Sequence, residues 1–441
     1  MKQLSGLLQR MERALGAPLP DDAGFRTFTL SAERGEGAEL TAWLAAQTLY
    51  PQFYWQHRRD PEEAAACGAV CTFASASEAE AFLQREDLDD DVRLWGLNAF
   101  GYPTLAQAEP LDGYLFLPRI TLLRQSERVV LRVNLFSAVS LRQDAENALK
   151  ALRQLATAHP LPPLAATVRL TAHHPEKTQW TDLIAQALAE IKAGALQKVV
   201  LARTTRLTLD RPLAAAPLMA ASRAANHDCY HFMLAFTPDR AFLGSSPERL
   251  YRREGNRLET EALAGTVAND LDDRRADELA QWLMQDVKNQ NENQLVVDDI
   301  RQRLSQAATA LEVLPLETLR LRKVQHLRRA IRAELLEAKD RACLQLLQPT
   351  AAVAGLPRAA ARDYLACYEP FDRGWYAGSA GYLSRQMSEF CVSLRSADVE
   401  GERLTLYAGA GIVAGSDPQQ EWQELETKAA GLKSLLYSDM S

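Results

Sequence analysis

The side chains of this chain best suited to chemistry are a lysine that heads an apolar run, a glutamate at a strand joint and two glutamates on separate helices. Lys198 begins KVVLARTTRL, a β-branched run of the kind that forms a buried strand. A lysine there commonly caps a sheet edge in solvent. Pointed into a cleft, its charged form is disfavoured by desolvation, its pKa falls from about 10.4 toward neutrality, and it can act as a general base. Glu248 follows Ser245, Ser246 and Pro247 in FLGSSPERLYRR. Proline breaks a strand ladder and lets the next side chain aim sideways into a cavity. Alone, such a residue usually marks a surface turn; opposite a basic group it is a candidate acid.

Glu292 lies in DVKNQNENQLVVDDIRQRL, where Leu295, Val296, Ile300 and Leu304 form the buried stripe and Glu292 stands at its margin. In DPQQEWQELETKAAGLKSLL the stripe is Leu425, Ala429, Leu432 and Leu435 or Leu436. Glu421, Glu424 and Lys428 share a neighbouring face at spacings of three and four. Surface ion pairing is an equal alternative there. Yet this helix directly follows the glycine-rich AGAGIVAGS, so its positive end and first carboxylates face a glycine wall. Carboxylates from two helices, with water and substrate oxygens, suit Mg²⁺. Arg395, in the apolar FCVSLRSA, needs an anionic partner if buried, and with Tyr376 nearby it forms either a substrate clamp or a structural ion pair. Gly265 and Thr266 in TEALAGT offer backbone and hydroxyl donors, or a plain turn.

Elements on both sides must position these groups. Helical patterns cover 1–20, the AELTAWLAAQ run, SASEAEAFLQRE with its capping serine, and DAENALKALRQLATA. Strand patterns cover FRTFTL, Phe53 to Trp55, VRLWGLNAF, YLFLPRITLLRQ and ERVVLRVNLFS. Proline-rich 159–177, which carries His173 and His174, reads as a solvated loop and as the boundary between an N-terminal part, 1–170, and a catalytic part, 171–441. Helices over 180–193, 213–225, 275–307 and 357–366 then each lead into strands. Repeated helix-then-antiparallel-strand units predict an α+β fold in which large antiparallel sheets pack together with helices outside, an α/β/β/α sandwich around a central cleft.

The chain has 441 residues, 47% of them hydrophobic and 24% charged, with a formal charge of −7. That acidity argues against a sequence-independent nucleic-acid binder, while local charge still permits a small anionic substrate. No run approaches the roughly 18 apolar residues of a membrane span, and MKQLSGLLQRMERALG lacks a signal-peptide core, so a cytoplasmic protein without membrane contact is expected. Cys67, Cys71, Cys229, Cys343, Cys367 and Cys391 lack metal-ligand spacing and read as buried free thiols. Neither a phosphate loop nor a Gly-x-Ser-x-Gly elbow is present.

The ordered set KVVLAR, SSPERL, EALAGT, KNQNENQLVVDDI, VQHL, PTAAVAGLP, WYAGSAGY, FCVSLRSA and YAGAGIVAGSDPQQEWQELETKAAGL, spanning about 175 to 436, resembles the chorismate-using enzymes of menaquinone, siderophore and tryptophan biosynthesis. Within that family the chain looks most like the menaquinone-pathway isochorismate synthases, which YPQFYWQ and RLWGLNAF extend into the N-terminal third. The resemblance implies Lys198 as general base, Glu248 as general acid, and magnesium at Glu292 and Glu424. It further implies that Tyr376, Arg395, Lys428 and the Gly409 to Gly411 backbone hold substrate carboxylates. Ala264 stands where the aminodeoxychorismate branch has a nucleophilic lysine, and Val297-Asp298-Asp299-Ile300-Arg301-Gln302-Arg303 departs from the anthranilate pattern; both point away from amine transfer and from a glutamine amidotransferase subunit. A salicylate synthase, or a chorismate-binding protein without catalysis, is the alternative.

Overall fold

A computed structural model describes residues 2–33, 39–101 and 113–440. All the strand pairings it records are antiparallel, and they join into one hydrogen-bonded network of twenty strands with eleven α-helices around it. The network is folded into two layers. Strand Gly113–Arg124 belongs to both: its first half pairs with Leu94–Asn98 and its second with Arg128–Ser137. Pro118 and a register shift in its other neighbour, between Ala69 and Cys71, mark the bend.

Side-chain alternation explains why the layers stay together. Along Tyr230–Thr237, Phe232 and Leu234 enter one core while Met233 and Ala235 enter another. The first core is built from strands alone: Phe53, Trp55, Trp95, Phe116, Phe242 and Tyr382 meet between the layers, Phe53 against Trp95 at 5.6 Å and Trp55 edge-on to Tyr382 at 6.4 Å. The outer faces are covered by helices, Trp180, Val296 and Leu425 on one side and Met11, Leu152 and Met219 on the other. This is the sandwich with outer helices that the sequence implies. Strands from the first 170 residues are part of both layers, Gln52–Gln56 beside Tyr230–Thr237 and Leu94–Asn98 beside Ser379–Leu383.

Several expected elements differ. The helix expected over 275–307 is two, Asp273–Gln285 and Val287–Leu304, because Asp286 ends the first and caps the second by accepting from the Asn289 N–H. The loop at His173 and His174 is instead strand Val168–His174, paired with Lys198–Leu209, where His173 Nδ1 lies 3.1 Å from Thr205 Oγ1. Strand Glu63–Phe73 has no counterpart in the sequence reading. Its stretch AAACGA, residues 64–69, holds only small residues, since both faces lie against large neighbours. Five of the six cysteines are buried or half-buried, but Cys367 is exposed. Among the described residues no helix is long and apolar enough to cross a membrane.

Candidate active site

Two neighbouring chain crossings build the centre of the site. Strand Arg240–Ser246 pairs in one layer, with Tyr230–Thr237 and Ser396–Glu400, and Arg249–Glu254 pairs in the other, with Met387–Val392. Pro247 and Glu248 are the step between them. In the opposite direction the chain steps from Met387–Val392 to Ser396–Glu400, and Arg395 lies in that step. Arg395 is therefore not within a strand, as its apolar surroundings suggested. Its φ of +49° is in the left-handed region, a conformation that side chains with a Cβ hold only when their surroundings impose it. The two steps are laced together: the Val392 N–H donates to Glu248 O at 3.0 Å and the Ser245 N–H to Arg395 O at 3.1 Å. An acid and a guanidinium from sequence positions far apart thus face one cavity.

The cavity is lined by Glu248, Gly265, Thr266, Glu292, His326, Tyr376, Arg395, Gly409, Gly411, Glu424 and Lys428. Gly409 and Gly411 lie on strand Arg403–Ile412, which pairs with the Lys198 strand, Gly411 opposite Val200. Both glycines are needed for close approach. A Cβ on Gly411 would stand 2.3 Å from Glu292 Oε1 and 3.0 Å from Lys198 Cε, and one on Gly409 would stand 2.6 Å from the Tyr376 hydroxyl. Lys198 is fully buried on the strand beside this wall, on the same face of Gly411 as Glu292, its Nζ 2.9 Å from Glu292 Oε1. The solvated edge lysine is thereby excluded.

The helix carrying Glu292 is fixed by asparagines on either side of it. Asn289 Oδ1 accepts the Thr266 N–H at 3.0 Å, and Asn293 donates to the carbonyls of Ala262, Ala264 and Leu327 at 3.2 Å each. The second helix starts at Asp417, which caps it by accepting from Gln419 and Gln420, with Pro418 in the first turn. Glu424 pairs with Lys428 at 2.6 Å, and Lys428 also donates to Gly409 O at 2.8 Å. The i,i+4 pair of the sequence reading is present, but it faces the cavity. Glu421 pairs instead with Lys288, at 3.1 Å. Its pKa is raised by burial and then by the negative charge of Glu424, against the opposing pull of Lys288.

Glu248 is the most unusual of these groups. It is only 2% exposed, and its Oε1 is buried without a hydrogen-bond partner. Burial, followed by the negative charge of Glu261, pushes its pKa up to about 8 against the opposing pull of Lys198, Lys428 and Arg58. It is a protonated carboxyl at neutral pH. Burial lowers the pKa of Arg395, whose Nη2 donates to His326 Nε2 at 2.7 Å. Among the described residues no carboxylate pairs with Arg395, so the structural ion pair is absent and the guanidinium is left to the cavity. Burial raises the Tyr376 hydroxyl to about 12. Tyr376 lies in the turn before strand Ser379–Leu383 and stacks on Tyr407 at 5.1 Å.

His326, in VQHL, is a member of the site that no local pattern singles out. Burial, then Arg395 and Lys428, hold its pKa well below the usual value. It is a neutral imidazole that accepts from Arg395, with Nδ1 3.0 Å from Thr266 Oγ1 and 3.4 Å from Gly265 O. The Thr266 N–H expected to meet substrate is taken by Asn289; Gly265, at φ +88°, lines the cavity where the strand bulges.

Residues 26–437 match the family of chorismate binding enzymes. The isochorismate synthase MenF of Escherichia coli strain K12 is 52% identical over 436 residues, covering 99% of each chain. That of Pasteurella multocida is 40% identical over 402 residues, covering 90% of each. The solved structure of the menaquinone-specific isochorismate synthase MenF from Escherichia coli superposes with a TM-score of 0.94, covering 98% of this chain and 99% of that one. With the match spanning both layers and both crossings, this chain belongs to the chorismate binding enzyme family.

Proposed function

We propose that this protein is a magnesium-dependent isochorismate synthase of the cytoplasm that supplies menaquinone biosynthesis. It would convert chorismate to isochorismate by adding water at C2 and expelling the C4 hydroxyl. The observation that carries this reading is Glu248, a buried carboxyl that keeps its proton up to about pH 8 in a cavity shared with Arg395 and Lys428. The full-length similarity to isochorismate synthases MenF supports the choice of branch.

In the proposed reaction, Lys198 takes a proton from water as its oxygen bonds to C2. The ring double bonds shift, the C4–O bond breaks, and Glu248 gives its proton to the departing hydroxyl, which leaves as water. One water enters and one leaves, so the reaction is an isomerisation and its reverse uses the same two groups with roles exchanged. Each proton transfer is worth about 10² to 10⁴ in rate. Arg395, held by the neutral His326, offers its fork to one substrate carboxylate, and Lys428 and the Gly409 to Gly411 backbone flank the other. Water as nucleophile requires no ammonia source, hence no amidotransferase subunit.

The donor set suits magnesium. Glu292 and Glu424 supply hard oxygens to the same cavity from two helices, a donor set that an ion completed by water and substrate can use. Glu292 and Glu424 would hold the ion, which when bound neutralises the ring carboxylate and draws electron density from the diene.

Chorismate incubated with purified protein and MgCl₂ should yield isochorismate, with turnover lost in EDTA and restored by added Mg²⁺. Salicylate and pyruvate as the main products, or binding without turnover, would contradict the reading.

A further inference from the structure

The frame around Glu248 is held from outside the cavity by a residue of the N-terminal third. Arg58 lies in the turn between strands Gln52–Gln56 and Glu63–Phe73, where His57 Nδ1 accepts from the N–H groups of Arg59 at 3.0 Å and Asp60 at 2.7 Å. This stapled turn sends the Arg58 side chain inward, to 3% exposure and over the Tyr230 ring at 5.2 Å. There its fork meets Glu261, Nη1 to Oε1 and Nη2 to Oε2, both at 2.7 Å, and Nη1 also donates to the Pro247 carbonyl at 2.7 Å.

Glu261 completes the frame. Its Oε1 accepts the Arg249 N–H at 2.7 Å and its Oε2 accepts Arg328 Nε at 2.8 Å. The peptide before Glu248 is therefore bonded to Arg58 and the one after it to Glu261, and these two side chains are bonded to each other. We propose that the Arg58–Glu261 pair is a positioning clamp that fixes the strand crossing bearing Glu248 and so aims its carboxyl into the substrate cavity. The inference rests on Glu248 being the acid of the proposed reaction.

A rigid frame matters because a displacement of about 1 Å costs on the order of 10²-fold in rate. The charged groups around Glu248 are Glu261 and Arg58 of the clamp, Lys198 at the head of strand Lys198–Leu209, Lys428 of the C-terminal helix and Arg395 of the adjoining crossing, with Arg249 and Arg328 bonded to Glu261. Removing either member of the clamp should therefore act in two ways. It loosens the frame, lowering kcat with little change in KM, and it changes the field at Glu248 with a sign set by the charge removed.

The experiment compares wild type, Arg58→Ala, Glu261→Gln, the double variant Arg58→Ala/Glu261→Gln and Glu248→Gln, measuring kcat, KM, the basic limb of the pH–rate profile and thermal unfolding. Expected are kcat losses on the order of 10- to 100-fold in each clamp variant, with KM within about threefold. The double variant should lose no more than the worse single. The basic limb should move down in pH for Glu261→Gln, which removes a negative charge, and up for Arg58→Ala, which removes a positive one. Should Arg58→Ala fail to fold, Glu261→Gln and the double variant carry the test, since neither keeps the Glu261 charge that Arg58→Ala leaves to Arg328 alone, and the double variant also removes the Arg58 charge that Glu261→Gln leaves buried. Wild-type kcat with an unmoved limb in those variants, or limbs that both move down alongside a lowered Tm, would overturn the clamp. Loss of the underlying reading looks different: wild type then makes no isochorismate, or Glu248→Gln keeps full turnover.

Discussion

The crossing at Glu248 and the strand at Glu261 bury the same side chain to nearly the same depth, 2% and 1% exposed, with opposite results. Burial raises both pKa values. At Glu248 it prevails, and the carboxyl stays protonated up to about pH 8. At Glu261 the guanidinium of Arg58, then Arg328 and the Arg249 N–H, outweigh it and hold the group at about 2. Depth alone therefore does not decide whether a buried carboxylate is ionised; the number and charge of its donors does. Glu261 has its lone pairs filled by two arginines and a backbone amide, as a structural group should. Glu248 keeps an unpartnered oxygen, which fits the acid role proposed for it.

Breaking the satisfied member of the comparison should have the larger effect on folding. Glu261→Ala leaves Arg58 and Arg328 buried without their shared anion, which should cost about 3–5 kcal/mol, read as a lowered midpoint in urea or thermal unfolding. Changing the unsatisfied member should do the reverse. The Glu248 pKa in the folded chain, about 8, lies above the ordinary 4.5, so between those pH values the unfolded chain ionises while the folded one stays protonated. Wild-type stability from this group then falls as pH rises from about 4.5 to 8. Glu248→Gln lacks that loss and should be no more stable than wild type near pH 4. It should gain, on the order of a few kcal/mol, by pH 8 and above. Parallel unfolding curves for the two proteins at every pH would remove the distinction between the two glutamates.

The parts of this arrangement that depend on nearby sequence were readable from it. The run at Lys198 is a buried strand, and the helices of Glu292 and Glu424 do direct those carboxylates to one cavity, although their apolar stripes alone left them at a margin. Ser75 caps its helix through the Glu78 N–H as its position suggested. The parts that depend on distant partners were not readable. Arg58 and Glu261 are 203 residues apart. Nothing local distinguishes that arginine from Arg59 beside it, whose exposed side chain pairs with Asp228 at the surface. The apolar neighbours of Arg395 suggest a strand, but they fit a crossing between two buried layers equally well. The small residues of Glu63–Phe73 concealed a central strand for a related reason: Trp55, Phe116 and other large side chains already fill the space on either side, leaving room for alanine.

The central claim is that Glu248 is a neutral carboxyl at the pH where the enzyme works. Wild-type minus Glu248→Gln infrared difference spectra, recorded across a pH titration of the folded protein, test it without relying on turnover. The expected result is a protonated carboxyl band at neutral pH that disappears as pH rises through about 8. A Glu248 signal already in its carboxylate form at pH 7, with a midpoint near the ordinary 4.5, would contradict the account.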